Sequence, residues 1–182
     1  MRVPTKWNDI TAGQYVAAVL SQDESGFLAS LCNVTANDIL NMKIDDVKAL
    51  AESLAFTNDS EAIFKTERPV KLKIQDKYII CPENLEVEKY GLYTMAIELI
   101  KDLRSDNGGP ENEVMANILV KLFCIYTYMP FYGKRKLDPN DYEQGITDYE
   151  KLILQLPVTT VFPLGGFYLD KFLKSPKPIK KH

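Results

Sequence analysis

The sequence predicts a mainly α-helical fold, two pseudo-repeated helical halves joined by a β-hairpin, in one globular unit of 182 residues. Three observations predict it. Apolar residues recur at helical spacing through most of the chain, behind legible helix starts. Between the halves the period changes to alternation. Three pairs of segments also echo one another in the same order: residues 10–15 and 85–90, 31–35 and 123–127, 40–47 and 154–161. In the last pair Leu40, Met42, Ile44 and Val47 answer to Leu154, Leu156, Val158 and Val161. The spacing between partners widens along the chain, which implies insertions in the second copy. The expected organisation is a first half over 1–66, a hairpin within 67–83, a second half over 84–173 and a basic extended tail over 174–182. Cys32 and Cys124 are expected at matching buried positions, with the halves superposing through the helices that follow Thr11 and Val87.

In the first half, Thr11 and Gln14 have capping-box spacing, and Trp7 and Ile10 precede them as an apolar staple. Tyr15, Val16, Val19 and Leu20 continue at helical spacing. After a break near Gly26 come Phe27, Leu28 and Leu31, then a short helix opened by Thr35 with Ile39 and Leu40 inside it. From Asp45, the residues Val47, Leu50, Ala51 and Leu54 form one stripe, and Asp45 and Asp46 suit the positive end of that helix.

Val70, Leu72 and Ile74 alternate with Lys71 and Lys73, and Tyr78, Ile79 and Ile80 follow a turn, which predicts a hairpin over about residues 69–81. An isolated hairpin is marginal in water, so its apolar face lies on the helices or its edge pairs elsewhere. It is either an interaction surface or a lid on the core. Residues 87–103 then read as an amphipathic helix ended by a turn cluster at 104–110, and residues 114–128 as a helix buried at the centre. Pro130 is expected to stop that helix and to expose Phe131 and Tyr132 beside Lys134, Arg135 and Lys136. A short helical stretch begins at 138–142, and a last helix carries Val161, Leu164, Phe167, Tyr168 and Phe172, with Pro163 in its first turn. Gly165 and Gly166 weaken that helix or admit another backbone.

The chemistry the sequence offers is limited. The sole histidine is His182, so Ser–His, Cys–His and His-ligated metal schemes would rest on a terminal residue. No Walker-A or GxGxxG loop occurs. Asp45, Asp46, Glu111 and Glu113 could pair as acid and base, but carboxylates at helix starts serve the macrodipole. We therefore expect no enzyme activity, cofactor or metal. The net charge is −3, and Lys174, Lys177, Lys180 and Lys181 leave the body more acidic still, which argues against nucleic acid as a partner for the basic run at 134–136. No stretch reaches the roughly 20 apolar residues of a spanning helix, so no membrane partner is expected. Cys32, Cys81 and Cys124 lack paired spacing and read as reduced core thiols of an intracellular protein. Candidate partner-binding residues are Phe131, Tyr132, Lys134, Arg135 and Lys136 in the insert, and Lys177, Ile179, Lys180 and Lys181 in the tail, where Pro176 and Pro178 favour an extended docking peptide.

The opening Val3-Pro4-Thr5-Lys6-Trp7-Asn8-Asp9-Ile10-Thr11-Ala12-Gly13-Gln14-Tyr15 is similar to the start of a group of small tailed-bacteriophage proteins from phages and prophages of Bacteroides-type gut bacteria, crAss-like phages included. The shared pattern is Pro-x-x-Trp-x-x-Ile/Val-Thr-x-x-Gln-Tyr. The hairpin, the helix start at Tyr90 and the Tyr128-Met129-Pro130 ending also resemble that group, over most of the chain to about Leu173. The chain departs from it at residues 86–89, where no Thr-x-x-Gln box recurs, and in its Lys/Pro-rich tail. The resemblance implies a non-enzymatic virion or tail-morphogenesis protein. Such a protein docks onto other phage structural proteins in the head–tail or tail region, or packaged in the particle, as an oligomer or in many copies. It also admits a tail-assembly chaperone that holds an apolar segment of a tail protein in a groove between the halves. Either would work in the host cytoplasm during assembly, and the first would remain in the virion.

Overall fold

Side-chain caps set the helix starts of the first half. The Thr11 hydroxyl accepts the Gln14 N–H at 3.1 Å while Gln14 Oε1 accepts the Thr11 N–H at 2.9 Å, the reciprocal box read from the sequence. Thr35 and Asp38 repeat it, and Asp23 accepts the Gly26 N–H at 2.7 Å. The computed structural model describes residues 1–83, 90–105, 111–133 and 139–174. Among these the order is a 3₁₀ turn Trp7–Asp9, α1 Ala12–Val19, α2 Glu24–Cys32, α3 Ala36–Leu40, α4 Ile44–Ser53, a 3₁₀ turn Ala55–Asn58, α5 Glu61–Phe64, β1 Lys71–Ile74, β2 Lys77–Ile80, α6 Tyr90–Ser105, α7 Glu111–Tyr132, α8 Pro139–Ile153 and α9 Val158–Lys174. The fold is mainly α with one antiparallel hairpin, as the sequence predicts.

The capping carboxylates give the fold a signature in acid. A backbone N–H from Thr5 holds the Asp9 carboxyl below its ordinary value, the Gly26 N–H does so for Asp23, and the Thr35 hydroxyl and N–H do so for Asp38. A depressed folded-state value means that the stabilisation is complete above the usual carboxylate range near 3.8 and is lost as pH falls through the folded values. The thermal midpoint is therefore expected to hold steady at mildly acidic pH and to fall below about pH 4. Asp23→Asn keeps a cap and should flatten part of that slope.

The centre is the α7–α9 pair, with α1, α6, α8 and β2 against α7 and with α1 and α5 against α9. Leu119, Leu122, Phe123 and Cys124 of α7 and Val161, Leu164, Gly165 and Tyr168 of α9 are buried. A Cβ on Gly165 would collide with the Leu119 carbonyl oxygen and lie 2.9 Å from its carbonyl carbon, so glycine permits this backbone approach. Contrary to the expectation from the sequence, residues 114–132 are long and apolar enough to cross a membrane, but about two thirds of that stretch is buried inside the fold, as in a core helix.

A backbone clasp joins the start of α1 to the α8–α9 link. The Ala12 N–H donates to the Leu156 carbonyl at 2.8 Å, the Gly13 N–H to Leu154 at 2.8 Å and the Val158 N–H to Ile10 at 2.9 Å. The orphan donors of α1 thus meet carbonyls at the end of α8. Gly13 permits the approach, because a Cβ there would lie 3.0 Å from the Leu154 oxygen. Thr159 Oγ donates to Asn8 Oδ1 at 2.8 Å, and Gln14 Nε2 donates to the Leu31 carbonyl at 3.0 Å, linking α1 to the end of α2.

Several expectations need correction. Pro130 does not end α7: the helix runs to Tyr132 because Phe131 packs into an aromatic cluster and Gly133, at φ 82°, closes it with an N–H bond to Met129 at 2.9 Å. Pro163 lies inside α9, past its first turn, because that helix already starts at Val158 after the clasp. The stretch opened near residue 139 is a long helix, with Pro139 as its first residue. Among the three echoed pairs, 40–47 runs from the last residue of α3 through a link into α4, and 154–161 from the link after α8 into α9. Residues 31–35 span a helix end and a cap, whereas 123–127 lie within α7. Apolar agreement at helical spacing is easily met by unlike local structures. The third pair includes 85–89, outside the described residues.

Candidate docking surface

The hairpin has one buried and one open face, and its register determines which residues lie on each. Cα partners are Lys71 with Ile80, Leu72 with Ile79, Lys73 with Tyr78 and Ile74 with Lys77, and the Cys81 N–H adds a bond to the Val70 carbonyl at 2.9 Å. Residues opposite one another share a face. Leu72, Ile74 and Ile79 therefore turn toward the core, where Ile74 and Ile79 are buried and β2 rests on α7. Lys71, Lys73, Tyr78 and Ile80 turn outward. Gln75, at φ 52°, makes the turn.

The outward face combines exposed apolar groups with positive charge. Ile80 is 71% exposed and Tyr78 64%. The Lys71 ammonium stands 4.6 Å from the Tyr78 ring centre and Lys73 5.9 Å, close enough for cation–π attraction. Among the described residues no carboxylate pairs with Lys71, Lys73 or Lys77. An aromatic ring within reach of two ammonium groups and beside exposed Ile80 can meet a partner that offers both apolar surface and carboxylates.

The aromatic insert differs from its sequence reading. Phe131 is 6% exposed, packed at 5.1 Å centroid distance on Tyr149 and 4.7 Å on Tyr132, with the Lys77 ammonium 4.7 Å above its ring. It is a core residue, because α7 continues one turn further than Pro130 suggested. Tyr132 is 40% exposed and also stacks on Tyr128 at 4.7 Å. Lys134, Arg135, Lys136, Lys177, Ile179, Lys180 and Lys181 lie outside the described residues. Lys174, assigned to the tail from the sequence, ends α9 and pairs with Asp170 at 2.7 Å.

Other polar groups have structural partners. Lys121 of α7 binds Glu150 of α8 at 2.7 Å, and Tyr149 donates to Thr127, whose hydroxyl donates to the Phe123 carbonyl at 2.6 Å. Burial pushes the thiols of Cys32, Cys81 and Cys124 upward, most strongly Cys124, so they stay protonated in the core. Among the described residues no three His, Cys, Asp or Glu side chains converge as a metal site. A groove of about 610 Å³ lies between the N-terminal segment, α2 and the α8–α9 link, lined by Arg2, Asp9, Gln14, Asn33 and Gln155 among others. Comparison of the chain with protein-family models, with curated proteins and with solved structures finds no match.

Proposed function

We propose that this chain is a non-enzymatic structural or assembly protein of a tailed bacteriophage that docks onto other virion proteins through the outer face of its hairpin. The opening motif supports the phage setting. The docking role rests on one observation: Tyr78 and Ile80 stand exposed beside Lys71 and Lys73 on a two-stranded sheet whose other face is already used by the core. Grouped apolar exposure of this kind marks interaction surfaces more often than isolated exposed residues do. A lid needs only the inner face, whereas the outer one is free to bind. The chaperone reading has the groove between the first helices and the α8–α9 link in its favour. That groove mixes apolar Met1, Leu31, Val34 and Leu154 with polar Arg2, Asp9, Gln14 and Gln155, a lining that suits an amphipathic segment.

Quantitative mass spectrometry of purified particles separates the two. A virion component is present at a fixed copy number per particle, and absence from particles while the assembling host cell contains the protein would overturn that reading in favour of the chaperone.

A further inference from the structure

We infer that the outer edge of β1 takes up an extended segment of another virion protein as a third, antiparallel strand, and that this segment alternates acidic with apolar residues. The inference rests on the docking role above and names its mode and the chemistry of the partner. Among the described residues the sheet has two strands, so each has one edge without a neighbour. The Val70 carbonyl accepts the Cys81 N–H. In an antiparallel ladder bonded and non-bonded pairs alternate, so Leu72 with Ile79 and Ile74 with Lys77 exchange the bonds between the strands. The N–H and C=O groups of Lys71 and Lys73 therefore point away from β2, and among the described residues no backbone group meets them. Of the two strands β2 is the one that rests on α7, which leaves β1 on the outside. Such an edge is a template for strand addition.

The side chains along the edge specify what fits. Residues directly opposite one another share a face, so those opposite Lys71 and Lys73 would stand beside their ammonium groups. The two strands carry Lys71, Lys73 and Lys77 and no carboxylate, while Asp76 lies in the turn and Glu83, beyond β2, pairs with Arg68 at 3.7 Å. Aspartate or glutamate opposite the lysines completes these pairs. The intervening residues fall on the inner face beside Val70, Leu72 and Ile74. Ile74 is buried there, but Leu72 is half-buried and Val70 is 56% exposed, so apolar side chains would cover surface that the helices leave open. Lysines on an edge also discourage pairing with a like strand, since β1 of a second copy would set ammonium against ammonium. The residues that turn away another hairpin thus suit an acidic strand.

Hydrogen exchange read at single residues tests the mode. The Lys71 and Lys73 amides should exchange fast in the free chain and roughly 100-fold or more slowly in purified particles, because each then donates to the added strand. A labelled Glu-Val-Glu-Val-Glu-Val peptide tests the chemistry by fluorescence anisotropy with the purified full chain. It should bind, more weakly as salt is added, and the corresponding Lys-Val peptide should not. N-methylation of the glutamate amides, which face β1, should lower affinity by roughly 10-fold or more, whereas N-methylation of the valine amides, which face away, should be tolerated. Lys71→Glu with Lys73→Glu, verified as folded by circular dichroism, should lower affinity by a similar factor of roughly 10 and restore binding to the Lys-Val peptide. Amides that exchange equally fast in particles and in the free chain, an acidic peptide that does not bind, or equal binding of both peptides would each overturn the inference. Lysine side chains protected in particles without slowing of their amides would overturn it and leave the docking role standing. Peptide binding by a chain absent from particles would instead overturn the virion reading alone.

Discussion

Replacing Gly165 by alanine is expected to lower the unfolding free energy by about 3 kcal/mol or more, the upper range for an overpacked core. The added methyl would meet the Leu119 carbonyl oxygen and sit 2.9 Å and 3.0 Å from its carbonyl carbon and Cα. Those atoms belong to the backbone of α7, so the collision cannot be relieved by a rotamer change. It must separate the two helices that form the centre of the fold. Gly166 is the matched control: a Cβ there meets the Phe64 ring at 3.5 Å, an ordinary contact, and alanine exceeds glycine in helix propensity by about 1 kcal/mol. Urea denaturation should place the Gly165→Ala midpoint well below wild type and the Gly166→Ala midpoint at or above it. Equal midpoints would mean that α7 and α9 do not approach as described.

Trp7→Ala should cost about 3–5 kcal/mol, as truncation of a buried aromatic side chain does. Trp7 meets Tyr15 edge to face at 5.6 Å and Phe56 at 5.5 Å, and its indole donates to the Asp59 carbonyl at 3.1 Å. Tyr15 in turn meets Phe162 of α9 at 5.0 Å, so the indole anchors a series of rings that ties the first turn to the α4–α5 region and the last helix. Trp7→Phe keeps much of the ring contact and loses the hydrogen bond. A smaller loss of roughly 1 kcal/mol is expected for it, the net worth of one hydrogen bond, since the exposed Asp59 carbonyl still accepts the Ala62 N–H. Thermal and urea unfolding should rank wild type above Trp7→Phe and Trp7→Phe above Trp7→Ala.

The first half was legible because its signals are local. Thr11, Gln14 and Thr35 announce helix starts through bonds within three residues, and the alternation at residues 70–80 announces strands through a period of two. What the sequence did not reveal depends on distant partners. Pro130 reads as a stop until Phe131 is seen packed on Tyr149 and Gly133 is seen closing the helix. Pro163 reads as a helix start until the bond from Val158 to Ile10 places that start earlier. Phe131 and Tyr132 looked alike beside a basic run, yet one faces the core and the other is partly exposed. The docking face itself was readable in part: Lys71 and Lys73 must share a side, but only the cross-strand register brings Tyr78 and Ile80 to them.

The opening motif has a structural explanation of its own. Trp7 and Ile10 are buried, Thr11 and Gln14 form the box, Gly13 admits the Leu154 carbonyl, and Tyr15 joins the rings of Trp7 and Phe162. A motif occupied in joining the start of α1 to the α8–α9 link has a role in the fold. Binding is then left to surfaces that the clasp does not use, the outer face of the hairpin among them.

Chemical footprinting of the free chain against purified particles tests that assignment most directly. Acylation of Lys71 and Lys73 and radical oxidation of Tyr78 should proceed readily in the free chain and be suppressed in the particle. Lys151, exposed on α8 with Asp148 as its neighbour, should label in both. Equal labelling of Lys71, Lys73 and Tyr78 in the two states would contradict docking through the hairpin.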